Sequence, residues 1–195
     1  MSVQQRKARE RLERHQMIVA AARELAETEG WEAVTTRRLA ERIAYSQPVL
    51  YSHFQGRDEI VGAVALGGFA ELRDAFRRAV PSGSSGRAAV AALAEAYITF
   101  AAQHPAVYDA MFSLSSGLPF ADETTPAPLH EAFMALLDTL GQVAGATDPE
   151  LFTEVCWAAL HGLVTLTRAG RLPPEQTAQR LTVLIDRLVG EEYIQ

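Results

Sequence analysis

Residues 35–54 read Thr35-Thr36-Arg37-Arg38-Leu39-Ala40-Glu41-Arg42-Ile43-Ala44-Tyr45-Ser46-Gln47-Pro48-Val49-Leu50-Tyr51-Ser52-His53-Phe54. Two short helical patterns lie in this stretch, Thr36 to Ile43 and Gln47 to Phe54, with only Ala44-Tyr45-Ser46 between them. Thr35 is a good N-cap for the first and Ser46 for the second, and Pro48 falls in a first turn, where its missing N–H costs nothing. Neither is long enough to be stable by itself. They need the helix before them, where Ile18, Ala21, Ala22 and Leu25 form an i, i+3, i+4, i+7 stripe that Gly30 stops. Three helices with a tight turn before the last make a homeodomain-like helix-turn-helix head, whose final helix can enter the major groove of DNA. Leu50 and Phe54 lie four apart and are expected to face the core. Gln47, Pro48, Val49, Tyr51, Ser52 and His53 then lie toward the groove, as hydrogen-bonders and apolar groups for base edges and phosphates.

Nearly every other long segment has helical period and none alternates, so the predicted fold class is all-α, with about nine helices. Gly56 can cap a fourth helix that opens Arg57-Asp58-Glu59, with acids suited to its dipole, and runs to about Val80. Pro81-Ser82-Gly83-Ser84-Ser85-Gly86 is a loop. Further helices are expected over Arg87–His104, stopped by Pro105, and over Val107–Leu114, Leu129–Val143, Pro149–Ala169 and Pro174–Val189. Residues 115–128 hold Gly117, Pro119, Pro126 and Pro128 and read as irregular. The domain reading is a DNA-binding head with a basic N-terminal arm over residues 1–57 and a larger C-terminal helical domain over 58–195.

The chain has 195 residues, 48% of them hydrophobic, and a net charge of −6. That balance argues mildly against a nucleic-acid partner, but its distribution reverses the argument. Met1 to Arg57 carry ten Lys/Arg against seven Asp/Glu, while the remainder carries eight against seventeen. A local basic footprint is what phosphate contact needs. No apolar signal core opens the chain, and no uncharged apolar run reaches the roughly 18 residues of a membrane span. With Cys156 the single cysteine, these features point to a reducing, cytoplasmic setting without a membrane partner. Cys156 and His161 are five residues apart on one helix, so their directions diverge by about 140° and they cannot share a metal. No HExxH, GxSxG, paired-cysteine or phosphate-gripping glycine motif is present, so catalysis, a metal and a cofactor are not expected. Cys156 reads as a small buried hydrophobe, with redox sensing as its alternative.

Residues Ile18 to Ile60 resemble the DNA-binding head of the tetracycline-repressor (TetR) family. The landmarks that carry the resemblance are Ala21-Ala22, Leu25, Gly30, Thr35, Leu39-Ala40, Ser46, Leu50-Tyr51, Phe54 and a cation at Arg57. The resemblance implies that Thr35 caps the second helix and, with Arg37, touches the phosphate backbone. It also implies that Tyr51 and His53 contact phosphate, and that Arg57, in place of the family's usual lysine, neutralises phosphate at the start of helix four. Ser46 stands with these, and Gln47, Pro48, Val49 and Ser52 occupy positions that vary with operator sequence, which makes them candidates for base reading. Three departures stand out. Ala44 sits where the family usually has glycine, and costs energy if its φ is positive. Tyr45 fills a usually small aliphatic site, and Gln47 removes a common positive charge. Ahead of the stripe, Gln5 to Arg14 admits two readings, a basic arm for a flanking minor groove or extra helical turns with Glu10–Arg14 pairing.

The C-terminal half resembles the family's ligand-binding and dimerisation domain. Trp157-Ala158-Ala159-Leu160-His161-Gly162 resembles the Trp-x-x-x-His-Gly signature of a "WHG" subgroup, which His104-Pro105 and Tyr108 also fit. Phe69, Phe100, Tyr108, Met111, Phe112, Phe133, Trp157 and His161 are candidates for lining an apolar pocket for a small-molecule effector, with core packing as the alternative for each. The last helix carries Leu181, Leu184, Ile185 and Leu188 in an i, i+3, i+4, i+7 stripe. That stripe needs a partner, in a second copy or, as the alternative, within its own chain, and the resemblance implies a homodimer built by the last two helices as a four-helix bundle. A two-fold dimer suits a palindromic operator with half-sites about 34–36 Å apart or multiples of that. The function implied is a sequence-specific transcriptional repressor released by a ligand; an activator, or an architectural DNA-binding protein without a ligand, stands as the alternative.

Overall fold

The computed structural model describes residues 2–81, 83–114, 118–119 and 123–189. Among the described residues there is no strand and there are nine α-helices: α1 (Val3–Glu29), α2 (Thr36–Ile43), α3 (Gln47–Tyr51), α4 (Arg57–Ala79), α5 (Gly86–Gln103), α6 (Pro105–Phe112), α7 (Ala127–Leu140), α8 (Pro149–Arg168) and α9 (Thr177–Leu188). The chain divides into two compact units, one of residues 1–69 with 104–126 and one of 70–103 with 127–195. Much of the segment read as irregular, 115–128, lies outside the described residues.

The first unit is organised by α1. Its stripe Ile18, Ala21, Ala22, Leu25 and Ala26 is buried, and Gly30 ends it at φ 82°, a conformation glycine adopts without a Cβ penalty. Gln5 to Arg14 are helix. Ser2 and Gln5 form a capping box at the start, and ion pairs Arg9–Glu13 at 2.7 Å, Arg14–Glu10 at 3.6 Å and Arg6–Glu10 at 3.7 Å run along it. Such exposed pairs are individually weak, and they extend a helix already nucleated downstream. Helix α2 is tied to α1 by Arg38, bidentate to Glu29 at 2.8 and 2.9 Å, and by Arg42–Glu24 at 2.6 Å. The apolar contact beneath them, made by the buried Leu39 and Ala40, outweighs these surface pairs.

Helix α6 belongs to this same unit. Pro105, read from sequence as a stop, also starts α6 at its first turn, where no N–H is required. His104 stands at the N-cap position without a side-chain bond to the helix end. Glu27 of α1 supplies the acceptor instead, taking the N–H of Ala106 at 3.0 Å and of Val107 at 3.2 Å. A carboxylate there satisfies two orphan donors and meets the positive end of the helix dipole. Trp31 adds an indole N–H to the Ala106 carbonyl at 2.8 Å.

In the second unit, Leu72 and Phe76 at the end of α4 pack in a core with Val90, Leu93 and Tyr97 of α5, Leu136 and Leu140 of α7, Cys156, Leu160 and Val164 of α8, and Ile185 of α9. Arg73 pairs with Glu131, and Arg87 reaches Asp186 at 2.6 Å. The last helix begins at Thr177 rather than Pro174, because a single 3-10 turn over Pro174–Gln176 precedes it.

Adjacent glycines in α4 have opposite surroundings. A Cβ on Gly68 would lie 2.5 Å from Val107 Cγ1 and 2.7 Å from Met111 Sδ, whereas one on Gly67 meets nothing within 4 Å. Val107 and Met111 are themselves buried and have little room to yield. Gly67→Ala is therefore expected to raise stability by up to about 1 kcal/mol through helix propensity. Gly68→Ala is expected to lower it, since overpacking costs about 1–3 kcal/mol against the same gain. Urea unfolding midpoints of the two variants check this, and equal shifts would refute the close α4–α6 approach.

Candidate nucleic-acid interface

Five residues of helix cannot hold a shape alone, so the position of α3 is set by what it buries. Leu50 and Phe54 are 1% and 4% exposed, as their spacing predicted. The helix is shorter than expected: α3 ends at Tyr51, and His53 and Phe54 wind on as a turn whose N–H groups both reach the Leu50 carbonyl at 2.9 Å. This turn still brings Phe54 inward beside Leu50. Gln47, Pro48, Tyr51 and Ser52 are exposed, while Val49 and His53 are half-buried.

The turn before α3 is made by Ala44 in the left-handed region, φ 56° and ψ 39°. It is the single positive-φ residue other than glycine among those described. The backbone accepts it because the Tyr45 N–H then reaches the Ala40 carbonyl at 3.0 Å and closes α2. Thr35 caps α2 as expected, accepting the Arg38 N–H at 3.3 Å. Ser46 has the extended backbone of an N-cap, but its hydroxyl makes no cap bond.

The remaining polar groups differ in how free they are. Tyr51 is 54% exposed, with its hydroxyl 3.4 Å from Thr36 Oγ1. Ser52 donates its hydroxyl to the Val49 carbonyl at 2.7 Å, which leaves its lone pairs for a donor. Arg37 is exposed and pairs with Glu41 at 3.0 Å. Arg57 serves the fold itself, since its Nη2 donates to the Trp31 carbonyl at 2.9 Å and to Glu32 at 3.2 Å. It therefore pins the α1–α2 loop to the start of α4.

Sequence reasoning missed His15, and read Arg11 and Arg14 only as part of the arm or of extra helical turns. The His15 ring stacks on Phe54 at 4.6 Å and lies 6.3 Å from His53. Burial first, then the charges of Arg11, His15 and Arg14, hold the His53 imidazole below its ordinary range. The signal was in the sequence, since Arg11 and Arg14 precede Ile18 by seven and four residues and so share its helix face.

The pocket candidates fall into two groups. Phe69, Tyr108 and Phe112 come together in the first unit, with ring centroids 5.4 and 4.7 Å apart, and Met111 is buried beside Gly68. Phe100, Phe133, Trp157 and His161 belong to the second unit. There the Trp157 indole donates to the Tyr97 hydroxyl at 3.2 Å, a partner the sequence reading did not name. His161 Nε2 lies 3.3 Å from Thr165 Oγ1, and burial lowers its pKa. The Cys156 thiol is buried, which pushes its pKa up to about 11 and leaves it protonated and unreactive at neutral pH. Among the described residues, no group of three or more His, Cys, Asp or Glu is placed to hold a metal, and no helix is long and apolar enough to cross a membrane.

Of the four interface candidates, Leu181, Leu184 and Leu188 are half-buried. Ile185 is only 4% exposed within one chain and so lies in that chain's own core. The uncovered apolar groups are others: Leu151, Val155 and Leu166 on α8 and Val183 on α9. At about 100° per residue, Leu151, Val155, Ala158, Gly162 and Leu166 share one face of α8, opposite the buried Thr153, Cys156, Leu160 and Val164. The sequence reading placed an interface stripe on the last helix alone and did not note that α8 is apolar on two sides.

The profile of "Bacterial regulatory proteins, tetR family" matches residues 18–64, and that of "Tetracyclin repressor-like, C-terminal domain" matches residues 90–188. The chain belongs to the tetR family of bacterial regulatory proteins. It is 35% identical over 94 residues to the HTH-type transcriptional regulator YobS of Bacillus subtilis, a match covering 48% of this chain and 49% of that protein. It is 26% identical over 174 residues to the HTH-type transcriptional regulator Rv0681 of Mycobacterium tuberculosis, covering 89% of this chain and 78% of that one. The fold is shared with a TetR variant from Acinetobacter baumannii solved in complex with minocycline, at TM-score 0.62 and 22% identity over 88% of this chain and 92% of that one. As in the family, a DNA-binding helix-turn-helix is followed by a C-terminal helical domain, and this TetR-family chain is a transcriptional regulator.

Ala44 carries a testable cost. A left-handed alanine is unfavourable by about 1–2 kcal/mol, of which glycine would return part to unfolded-state entropy. Ala44→Gly is expected to raise the thermal midpoint by about 2–4 °C for a chain of this size. A midpoint that stays or falls in calorimetry would show that the turn is not strained.

Proposed function

We propose that this regulator is a homodimeric repressor that holds a palindromic operator through α3 and leaves it when a small molecule binds the C-terminal half. The observation that carries the reading is the division of the recognition segment: Leu50 and Phe54 are buried, while Gln47, Pro48, Tyr51 and Ser52 stand exposed beside Val49. Phosphate contact falls to Tyr51, Arg37 and Thr35, with His53 and Ser46 at its margins, and base reading to Gln47, Pro48, Val49 and Ser52. Arg57 acts chiefly by holding the loop before α2, and only secondarily as a phosphate partner.

The second apolar face of α8, with Val183 of α9, supports dimerisation, because Leu151, Val155 and Leu166 would otherwise stay in water. The effector is proposed to meet the Trp157–Tyr97 pair and His161, with Phe100 and Phe133 as apolar neighbours. The minocycline complex of the A. baumannii relative supports a small molecule as the class of ligand. Release requires that the effector bind the DNA-incompetent state more tightly. A 100-fold preference corresponds to about 2.7 kcal/mol of coupling. Helix α4 is continuous from Arg57 at the head into the second unit, and α6 is clamped to α1 by Glu27. Both are proposed to carry that coupling.

Selection from a random duplex pool with the purified protein is expected to yield a palindrome, whereas uniform, salt-sensitive binding to all sequences would favour an architectural protein. On the selected operator, Tyr51→Phe should weaken binding about tenfold, the value of one charge-assisted hydrogen bond, with the sedimentation coefficient unchanged; loss of the dimer in that variant would overturn the role given to Tyr51. Val155→Asp should do the reverse, giving monomers by sedimentation and losing the operator as a consequence. A dimeric Val155→Asp would move the interface off α8.

A further inference from the structure

The tetR-family profile begins at Ile18, yet α1 begins at Val3. The turns ahead of the profile bury nothing, residues 2–13 all being exposed, so core packing does not account for them. Their charges are sorted by face. Lys7, Arg11 and Arg14 precede Ile18 by eleven, seven and four residues, which at about 100° per residue places them within about 40° of its direction. Ile18 is buried against the head. The packing face of α1 thus continues past the head as a row of three cations, where an unbroken core stripe would be apolar. Arg6 and Arg9 point away from that face and pair with Glu10 and Glu13, while within the row Arg14 also reaches Glu10 at 3.6 Å. Lys7 and Arg11 make no ion pair among the described residues.

This overhang starts at the recognition element. His15, one residue beyond Arg14, stacks on Phe54 and lies beside His53. Twelve residues of helix reach about 18 Å, the rise of about five base pairs. We propose that the first turns of α1 are a second, sequence-independent DNA contact, in which Lys7, Arg11 and Arg14 grip backbone phosphates flanking the half-site that α3 reads. This rests on the DNA-reading role proposed for α3. The face-sorted charges decide between duplex DNA and an acidic protein surface, because the row leaves directly from the segment that meets DNA. A helix presenting point charges along a phosphate ladder adds affinity and salt dependence without reading sequence.

The test uses the full-length protein with Lys7→Gln/Arg11→Gln, and Arg6→Gln/Arg9→Gln as the opposite-face control. Glutamine keeps helix propensity, and circular dichroism checks that α1 is retained. Affinity is measured against potassium chloride on the selected operator with flanks of about ten base pairs, and again on a duplex trimmed to the two half-sites. The salt slope of the Lys7/Arg11 variant is expected to be shallower by about 0.9 for each phosphate no longer neutralised, close to two per head. Affinity for the flanked duplex should fall about tenfold or more, with the operator-to-random ratio unchanged and the difference gone on the trimmed duplex. The control should match the unaltered protein. An unchanged slope on the flanked duplex, an equal loss on the trimmed one, or an equal effect of the control pair would overturn the proposal while leaving the role of α3 intact. Failure of the unaltered protein to bind any duplex would overturn both.

Discussion

The recognition segment contains one and a half turns of helix, too little hydrogen bonding to offset the entropy of fixing its backbone. What holds it is burial of Leu50 and Phe54, each contributing about 1.5–3 kcal/mol. That contribution exists only if a surface waits to receive them, and α1 and α2 are that surface. Much of the local construction serves this docking. Arg38 and Arg42 tie α2 to α1, and Arg57 holds the loop between them through the Trp31 carbonyl. Ala44 accepts a left-handed backbone so that α3 leaves α2 at the angle that buries Leu50. Strain of about 1–2 kcal/mol at one turn is smaller than the burial it permits, so the turn survives without a glycine.

The same economy explains why α6 belongs to the unit that holds the recognition segment although about fifty residues of α4 and α5 intervene. A helix that starts at proline has fixed its first φ but still leaves free N–H groups. Glu27 takes two of them and Trp31 takes the following carbonyl. These three bonds are directional, so they fix the angle of α6 to α1 and not merely its proximity. Gly68 brings α4 against the same helix at a distance that excludes a Cβ. A displacement of α6 would therefore be felt by α1 through polar geometry and by α4 through contact, which is the physical content of coupling on the proposed reading.

What was legible in the sequence was what depends on near neighbours. The N-cap at Thr35, the inward pair Leu50 and Phe54 and the number of helices follow from spacings of a few residues, while the penalty at Ala44 came from the family resemblance. What was not legible depended on partners far along the chain or on competition between periods. Glu27 gives no sign from its own neighbours that it caps a helix 79 residues away. Arg57 gives no sign from its own neighbours that it also holds the Trp31 loop, 26 residues back. Ile185 fits an exposed stripe as well as its leucine neighbours do, and only packing shows that it points inward. In α8 two apolar stripes overlap, so either one alone satisfies a helical template and the second passes as more of the same. The sorted charges of residues 6–14 were visible as letters, but their meaning required knowing which face of α1 is buried.

The two-faced α8 also bears on how much specificity the head can have. One recognition segment exposes four or five groups to a groove, and each correct base pair is worth about 1–3 kcal/mol over a mismatch. A single head therefore discriminates too weakly to find one site among a genome of competitors. Joining two heads through a rigid interface adds their discrimination and imposes a fixed half-site spacing as a further filter. That filter works only if the joint is stiff, and interdigitated apolar side chains at interior density are stiff where exposed ion pairs are not. On the proposed reading, Leu151, Val155 and Leu166, exposed on a long helix that also anchors the core of its own unit, supply that joint. A ligand beside Trp157, on that same reading, acts on the same helix that sets the half-site spacing.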